Sequence, residues 1–278
     1  MTKVASSFSG SIPEYYDTHM GPAIFEPYAA NLAQRLAGGI AGPVLETACG
    51  TGILTRRLRA HLEAGTRLVA TDLSAAMLDY ARTRLADLPG VEWREADAAN
   101  LPFSSASFAA VVCQLGLMFV PDKAVAMREA RRVLMPGGLY LFNVWDRLEE
   151  NPHGMASSRV LKELFPGDPV ADFAKVPYGF HDQDLIRALL DANGFGEVVI
   201  EKVNVEIRSP SAKSIAIGAI RGTPRSLLIQ ERGVSLDSVI EAVTAELARV
   251  GGDHPFRVNS QAIVVAARPA KSGIGDGS

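Results

Sequence analysis

Between residues 43 and 146 the chain alternates short apolar runs with segments that place their apolar residues on one helical face. In segment 53–64, Leu54, Leu58 and Leu62 recur at intervals of four, the spacing of one face of an α-helix. Such alternation is typical of a parallel sheet covered by helices on both faces. The pattern predicts strands at 43–46, 68–71, 91–95, 108–113 and 139–145, and helices at 53–64, 75–88 and 122–134.

The pattern changes after Trp145. Residues 146–183 are rich in Pro, Gly and Asp, which indicates a cap or a long connection. The later elements predicted are helices at 184–193 and 236–250, a strand at 197–207 with one slip in its alternation, and a last strand at 259–267. No simple crossover joins these two strands, so we expect an antiparallel pair appended to the parallel sheet. Residues 209–256 would then be an insertion long enough to wall off a substrate.

We expect residues 1–270 to form a single domain, followed by a disordered tail at 271–278. The expected core is about 40–146 and 184–208 plus 257–268, and the expected cap and substrate elements are about 1–39, 147–183 and 209–256.

The composition is that of a globular protein, with 47% apolar and 21% charged residues among 278. A net charge of −3 gives no basic surplus, so nucleic acid is not expected as a partner. No apolar run reaches the roughly 18 residues of a membrane span, and the start MTKVASSFSG shows no export signal. The two cysteines, Cys49 and Cys113, lie in or beside apolar runs and indicate buried thiols in a reducing cytoplasm. The five histidines show no metal-ligand spacing, so no metal is expected.

The segment from Val44 to Gly52, VLETACGTG, runs from a strand through small residues into a helix. Small residues allow a ligand close to the backbone, and a helix N-terminus offers free N–H groups, so this is a candidate cofactor loop. The GxGxxG pattern of dinucleotide-binding proteins fails here, because Thr55 or Ile53 stands where its last glycine would be. A phosphate-binding GK[ST] loop also fails. An NAD(P)-dependent oxidoreductase is therefore disfavoured.

Two aspartates follow later strands of the same predicted sheet. Asp72 ends the second strand, twenty residues past Gly52, where a carboxylate can accept both hydroxyls of a ribose. Its alternative role is the N-cap of the next helix, although Ser74 can serve as that cap. Asp97 follows the third strand and can accept the amino group of adenine, or it is an ordinary loop aspartate.

Taken together and in order, the motifs ETACGTG, ATDLSAAML, EADAANLPF, FAAVVC and VLMPGG resemble those of class I S-adenosylmethionine-dependent methyltransferases. The group that contains the quinone-biosynthesis C-methyltransferases is the most similar. The resemblance is strong over about 40–146 and looser over 12–39 and 180–268. It implies a seven-stranded, doubly wound Rossmann-like sheet, mostly parallel with an antiparallel last strand, plus N-terminal helices and an insertion before the last strand. Ala48 departs from the family's first loop glycine, and we expect a strand-like φ there to tolerate the methyl group.

The resemblance also implies roles for individual residues. Glu46 and the Ala48–Gly50 backbone would hold the methionine part of the cofactor, Asp72 the ribose, and Leu73 and Met77 the adenine face. Asp97 and Ala98 would meet the adenine edge, and Gln114 and Leu115 would lie near the sulfonium. The residues implied to bind the cofactor are Glu46, Ala48, Gly50, Gly52, Asp72, Leu73, Met77, Asp97, Ala98, Gln114, Leu115 and Tyr16. Met77 could equally be helix core, and Tyr16 could equally pack its helix, one resembling the family's closing helix, on the sheet.

The implied reaction is direct displacement on the methyl group of S-adenosyl-L-methionine by a small-molecule acceptor, with S-adenosyl-L-homocysteine as product. Alignment and exclusion of water would then be the protein's main contributions. His181 and His153 are candidate bases, but a solvated or capping role is the more common one for such histidines. The alternative hypothesis is a non-catalytic, cofactor-binding regulatory or scaffold protein of the same fold. The acceptor, the acceptor atom and the oligomeric state are left open.

Overall fold

The computed structural model describes residues 8–36 and 40–271. The strands are β1 (Val44–Thr47), β2 (Leu68–Asp72), β3 (Val91–Glu95), β4 (Phe108–Gln114), β5 (Leu134–Trp145), β6 (Phe195–Ser209) and β7 (Phe256–Pro269). The α-helices are α1 (Ile12–Tyr15), α2 (Glu26–Leu36), α3 (Ile53–His61), α4 (Ala75–Arg84), α5 (Lys123–Val133), α6 (Pro152–Leu164), α7 (Gln183–Ala192), α8 (Ala212–Arg221), α9 (Arg225–Glu231) and α10 (Leu236–Gly251). A π-helical segment, Tyr16–Phe25, joins α1 to α2.

The seven strands form one sheet in the order β3-β2-β1-β4-β5-β7-β6. Strands β1 to β5 pair in parallel, and β7 runs antiparallel to both of its neighbours, β5 and β6. The predicted sheet, with its antiparallel last strand, is confirmed. The strand order reverses between β1 and β4, and ligands of open α/β sheets bind at such a switch point.

Side chains alternate between the two faces of the central strands, and helices cover both faces. On one face, Leu32 of α2 and Leu58 of α3 pack over Val44, Leu68 and Leu141. On the other face, the buried side chains of Phe108 and Phe142 belong to a larger core that includes α5 and the helices before β7. Burial on both faces explains why the central strands read as continuous apolar runs.

The connections after β5 contain helices that the sequence pattern did not predict. Segment 146–183 was expected as a cap or a long connection, and it contains the thirteen-residue helix α6. Helices α8 and α9 lie in the predicted insertion, ahead of α10. Strand β5 begins at Leu134, earlier than expected, and Gly137 within it has a positive φ of 73°. The division into core and cap stays a prediction, and the predicted tail beyond Lys271 lies outside the described residues.

Candidate cofactor cleft and acceptor cavity

A cleft opens at the carboxyl ends of β1, β2 and β4, where the strand order reverses. It encloses about 1060 Å³, part of which is open to solvent. The predicted cofactor residues that border it are Tyr16, Glu46, Ala48, Gly50, Asp72, Leu73, Met77, Asp97, Ala98, Gln114 and Leu115. Gly52 does not border the cleft. It has a φ of 81° at the start of α3, and a Cβ there would meet Leu85. That the predicted residues bind a cofactor stays a prediction.

The loop after β1 turns sharply because several of its residues have positive φ. Gly50 has a φ of 55°, and Ala48 has a φ of 52°. The expectation of a strand-like φ at Ala48 is therefore wrong. Left-handed backbone costs a residue with a Cβ about 1–2 kcal/mol, so this position carries strain. The Cys49 N–H donates to the Thr71 carbonyl at 2.9 Å, which holds the turn against β2.

The opposite wall of the cleft, after β4, is strained in the same way. Leu115 has a φ of 47°, and its N–H donates to the buried Asn143 side-chain oxygen at 2.9 Å. Next to it, a Cβ built on Gly116 would lie 2.4 Å from the Ala48 Cβ and 3.0 Å from Cys113 Sγ. The two strained turns therefore touch, and only glycine fits at 116.

Asp72 ties the end of β2 to the cofactor loop. Its carboxylate accepts the Gly50 N–H at 2.8 Å on one oxygen and the Ser74 N–H at 2.8 Å on the other. Ser74 is the N-cap of α4, accepting from the Met77 N–H, so Asp72 does not serve as that cap. Burial raises the pKa of Asp72, although its backbone hydrogen bonds oppose that rise.

Glu46 lies at the floor of the cleft with only 1% of its surface exposed. Its Oε2 has no hydrogen-bond partner among the described residues. Burial, together with the charge of Asp72, raises the pKa of Glu46 to about 8. An unpartnered buried carboxylate is costly, so this position is suited to a cationic ligand group.

Residues of α4 and of the loop after β3 border the cleft further from Glu46. Met77 is 4% exposed, belongs to α4 and borders the cleft, so its helix-core and adenine-contact roles are compatible. Asp97 accepts the Ala99 N–H at 2.8 Å on one oxygen and also borders the cleft.

The π-helical segment covers the cleft, and Asp17 fixes it there. The Asp17 carboxylate accepts from Thr51 Oγ1 at 3.0 Å and from Arg84 Nε at 2.7 Å, which joins it to the loop before α3 and to the end of α4. Tyr16 borders the cleft and stacks on Phe25 of the same segment, with ring centroids 4.6 Å apart. Sequence reasoning missed Asp17, because an isolated aspartate in a helix gives no signal of its partners.

A second cavity of about 720 Å³, called here the acceptor cavity, adjoins the cleft. The two share Phe8, Tyr16, Phe25, Leu115 and Phe119. The acceptor cavity is also bordered by Trp145, Tyr178, His153 and Arg225, together with Gly154 and Ser157 of α6 and Ile215 and Ala219 of α8.

The two candidate histidines differ in position. His153 borders the acceptor cavity, and its Nε2 lies 3.3 Å from the Tyr178 hydroxyl. Burial lowers the pKa of His153 to about 4, so its ring is neutral at physiological pH. His181 borders neither cavity, and its Nδ1 lies 2.8 Å from the Tyr178 carbonyl oxygen.

A family model described as a methyltransferase domain matches residues 44–138. A 2-phytyl-1,4-naphtoquinone methyltransferase of Thermosynechococcus vestitus is 40% identical over 94 residues, 34% of this chain and 42% of the relative. Over these residues the chain is similar to methyltransferases. A malonyl-(acyl-carrier protein) O-methyltransferase of Hahella chejuensis is 30% identical over 178 residues, 62% of each chain. The chain thus spans about two to three fifths of the length of these curated relatives.

Among solved structures, phosphoethanolamine N-methyltransferase 2 of Haemonchus contortus, in complex with S-adenosyl-L-methionine, has a fold similar to that of this chain. The TM-score is 0.60 at 16% identity, covering 92% of this chain and 56% of that one. Within residues 8–36 and 40–271 no helix is long and apolar enough to cross a bilayer. Over the same residues no group of three or more His, Cys, Asp and Glu side chains could hold a metal ion.

The contact between the two strained turns, after β1 and after β4, is testable by a double-mutant cycle. We expect Gly116→Ala to lower the free energy of unfolding by about 2 kcal/mol, because the added methyl overlaps the Ala48 Cβ. In the Ala48→Gly background the same change should cost at least about 1 kcal/mol less. Urea unfolding followed by circular dichroism measures both effects.

Gly65→Ala is the matched control for this cycle, since a Cβ there meets nothing within 4 Å. We expect it to change stability by less than about 1 kcal/mol. If Gly116→Ala lowers the free energy of unfolding equally with Ala48 present and in the Ala48→Gly background, the contact is contradicted.

Proposed function

We propose that the protein transfers a methyl group from S-adenosyl-L-methionine to a small-molecule acceptor by direct displacement, releasing S-adenosyl-L-homocysteine. The observation that carries this proposal is the unpartnered Glu46 oxygen at the floor of a cleft bordered by Asp72 and Asp97. One carboxylate with an unpartnered oxygen and two aspartates along the same cleft match the amino group, the ribose hydroxyls and the adenine amino group of such a cofactor.

The residues present fit this cofactor. Glu46 would accept from its ammonium group, Asp72 from its ribose hydroxyls, and Asp97 from the adenine amino group. Leu73 and Met77 border the cleft on the α4 side, where their apolar side chains would contact the adenine face. When bound, the cofactor supplies a methyl group already activated by the positive charge on its sulfur.

The chain's own contribution is alignment of the acceptor and exclusion of water. Tyr16, Phe25, Leu115 and Phe119 stand where the cleft meets the acceptor cavity, and these side chains leave little room for water. Holding two reactants in line raises their effective concentration to about 10⁵ M or more. Since the positive charge disperses as the methyl group moves, an apolar junction does not oppose the reaction. Of the apolar stretch 117–120, Phe119 and Val120 border the cleft, while Leu117 and Met118 are core.

Of the two candidate bases, only His153 borders the acceptor cavity, where its ring is neutral at physiological pH. His181 lacks such a position. An acceptor that is already an anion needs no base, so a base would be required only for an acceptor that carries its proton into the cavity.

The acceptor cavity supports a compact acceptor. The relatives' names include a naphthoquinone and a malonyl group on an acyl-carrier protein, and a mostly apolar cavity is consistent with a compact acceptor group of either kind. We infer that nucleic acid is not the acceptor, since the chain has a net charge of −3. The two free, buried cysteines favour a reducing cytoplasm as the site of action.

A binding experiment on Asp72 tests the proposed function. We expect Asp72→Asn to weaken S-adenosyl-L-homocysteine binding by roughly 10- to 100-fold, because hydrogen bonds to a charged group contribute about 1.5–3 kcal/mol each. Isothermal titration calorimetry measures the affinity. Asp79→Asn on the adjacent helix α4 is the control, since that side chain is 70% exposed and does not border the cleft.

An unchanged affinity in Asp72→Asn, with wild-type stability, would show that the ribose lies elsewhere. Transfer of labelled methyl from the cofactor to a metabolite extract separates an enzyme from a non-catalytic cofactor-binding protein. Binding without any transfer would favour the non-catalytic alternative.

The pH dependence of cofactor binding provides a separate test. The pKa of Glu46 is about 8 in the free protein, so the carboxyl is mostly protonated at pH 7. Pairing with the ligand ammonium requires the ionised form, so binding at pH 7 should release close to one proton. The affinity should therefore rise as pH increases from 6.5 to 8, by at most about tenfold per unit, and then level off.

Calorimetry of S-adenosyl-L-homocysteine binding in phosphate and in Tris at pH 7 counts the released protons. Glu46→Gln removes the titrating group while keeping its shape, and it should abolish both the proton release and the rise in affinity. Proton release of the same size in Glu46→Gln would contradict the assigned pairing.

A further inference from the structure

Arg225 is a buried cation that borders the acceptor cavity. It is the first residue of α9, and 6% of its surface is exposed. Its Nε has no hydrogen-bond partner, and its one hydrogen bond within the described residues runs from Nη1 to the Ala219 carbonyl at 3.5 Å. No carboxylate forms an ion pair with it in that part of the chain, whereas the nearby Arg221 pairs with Asp237 at 2.7 Å.

The surroundings of Arg225 leave its charge uncompensated. Its guanidinium lies over the Phe173 ring, 4.6 Å from the centroid, which offsets only part of the cost of burying a cation. Burial lowers its pKa to about 10, so it stays charged at neutral pH. His153 is neutral there, and burial also raises the pKa of the Tyr178 hydroxyl, so neither neighbour supplies a negative charge.

The position of Arg225 indicates which ligand its charge would contact. Arg225 borders the acceptor cavity and does not border the cofactor cleft. On the same cavity, His153 Nδ1 is also buried without a partner among the described residues. The rest of the lining is largely aromatic and aliphatic, including Trp145 and Phe173. A ligand with two oxygens that share a negative charge could accept a hydrogen bond from each of these unpartnered nitrogens, in a cavity that is otherwise largely apolar.

We propose that the acceptor is a compact apolar molecule carrying a carboxylate, and that Arg225 recognises that carboxylate at the end of the acceptor cavity remote from the cofactor. This inference rests on the proposed methyl transfer and names its substrate class. The planar guanidinium fork matches a carboxylate through two parallel hydrogen bonds, a geometry that lysine does not reproduce. The carboxylate is thus the anchored group, and the methylated atom lies towards Tyr16 and Phe119.

A binding experiment tests the charge requirement with matched probes. The probes are 1-hydroxy-2-naphthoate, benzoate and the neutral isostere 1-hydroxy-2-naphthamide, titrated calorimetrically with and without saturating S-adenosyl-L-homocysteine. We expect the naphthoate to bind the wild-type protein at least tenfold more tightly than the naphthamide. Arg225→Gln and Arg225→Lys should both reduce that ratio, Gln to near one, while Arg221→Gln should retain it.

Several results would overturn the proposal: equal binding of acid and amide, a preference that survives in Arg225→Gln, or no binding of either carboxylate. The affinity for S-adenosyl-L-homocysteine is measured separately on each variant and should not change. Failure of the wild-type protein to bind S-adenosyl-L-homocysteine would instead refute the proposed function, while the probe titrations without it still report on the carboxylate.

Thermal unfolding distinguishes recognition from a structural role. If Arg225 is kept for a ligand, Arg225→Met should raise the Tm of the ligand-free protein, because it removes an uncompensated buried charge. The naphthoate should then raise the Tm of the wild type and leave that of Arg225→Met unchanged. A lower Tm in Arg225→Met together with unchanged naphthoate binding would assign Arg225 to the packing of α8 and α9.

Discussion

The hydrogen bond from the Gly50 N–H to the Asp72 carboxylate, at 2.8 Å, is the interaction on which the site depends. It joins the turn after β1 to the end of β2, and the second Asp72 oxygen fixes the start of α4 through Ser74. One carboxylate therefore sets the spacing of two strand ends and the direction of a helix. Because it also borders the cleft, the group that shapes the binding surface is itself part of that surface.

The cleft is bounded by backbone that is strained on both sides. Ala48 and Leu115 have positive φ after β1 and β4, the two strands between which the sheet order reverses. Such strain persists only where the surroundings fix it, as the Asn143 side chain does for Leu115 and the Cys49–Thr71 bond does for Ala48. The strained turns bring backbone groups and the Glu46 side chain to the same edge of the sheet, where relaxed turns would direct the chain away from it.

The sheet could be predicted from sequence because parallel strands buried on both faces leave continuous apolar runs, and their carboxyl ends locate the cleft. The positive φ of Ala48 could not be predicted, because the residues around it in the sequence do not indicate that Gly116, after β4, packs against it. Helix α6 was missed because Pro152 and Gly154 resemble loop residues, whereas Pro152 occupies the first helical turn and Gly154 accommodates the Tyr178 ring. Arg225 appears in sequence as an ordinary surface arginine, and only packing against Phe173 and α8 buries it.

The two cavities contain ionisable groups of opposite type with an unpartnered atom, the acid Glu46 at the floor of the cleft and the cation Arg225 in the acceptor cavity. Had these groups served stability alone, pairing them with neighbours or replacing them by apolar residues would have been the more favourable arrangement. Neither group forms an ion pair within the described residues. Five residues that border both cavities lie between Glu46 and Arg225. This separation matters, because an ion pair between Glu46 and Arg225 would neutralise both sites at once. The fold thus leaves an acid and a cation for two different ligands, which would meet at the apolar junction of Tyr16, Leu115 and Phe119.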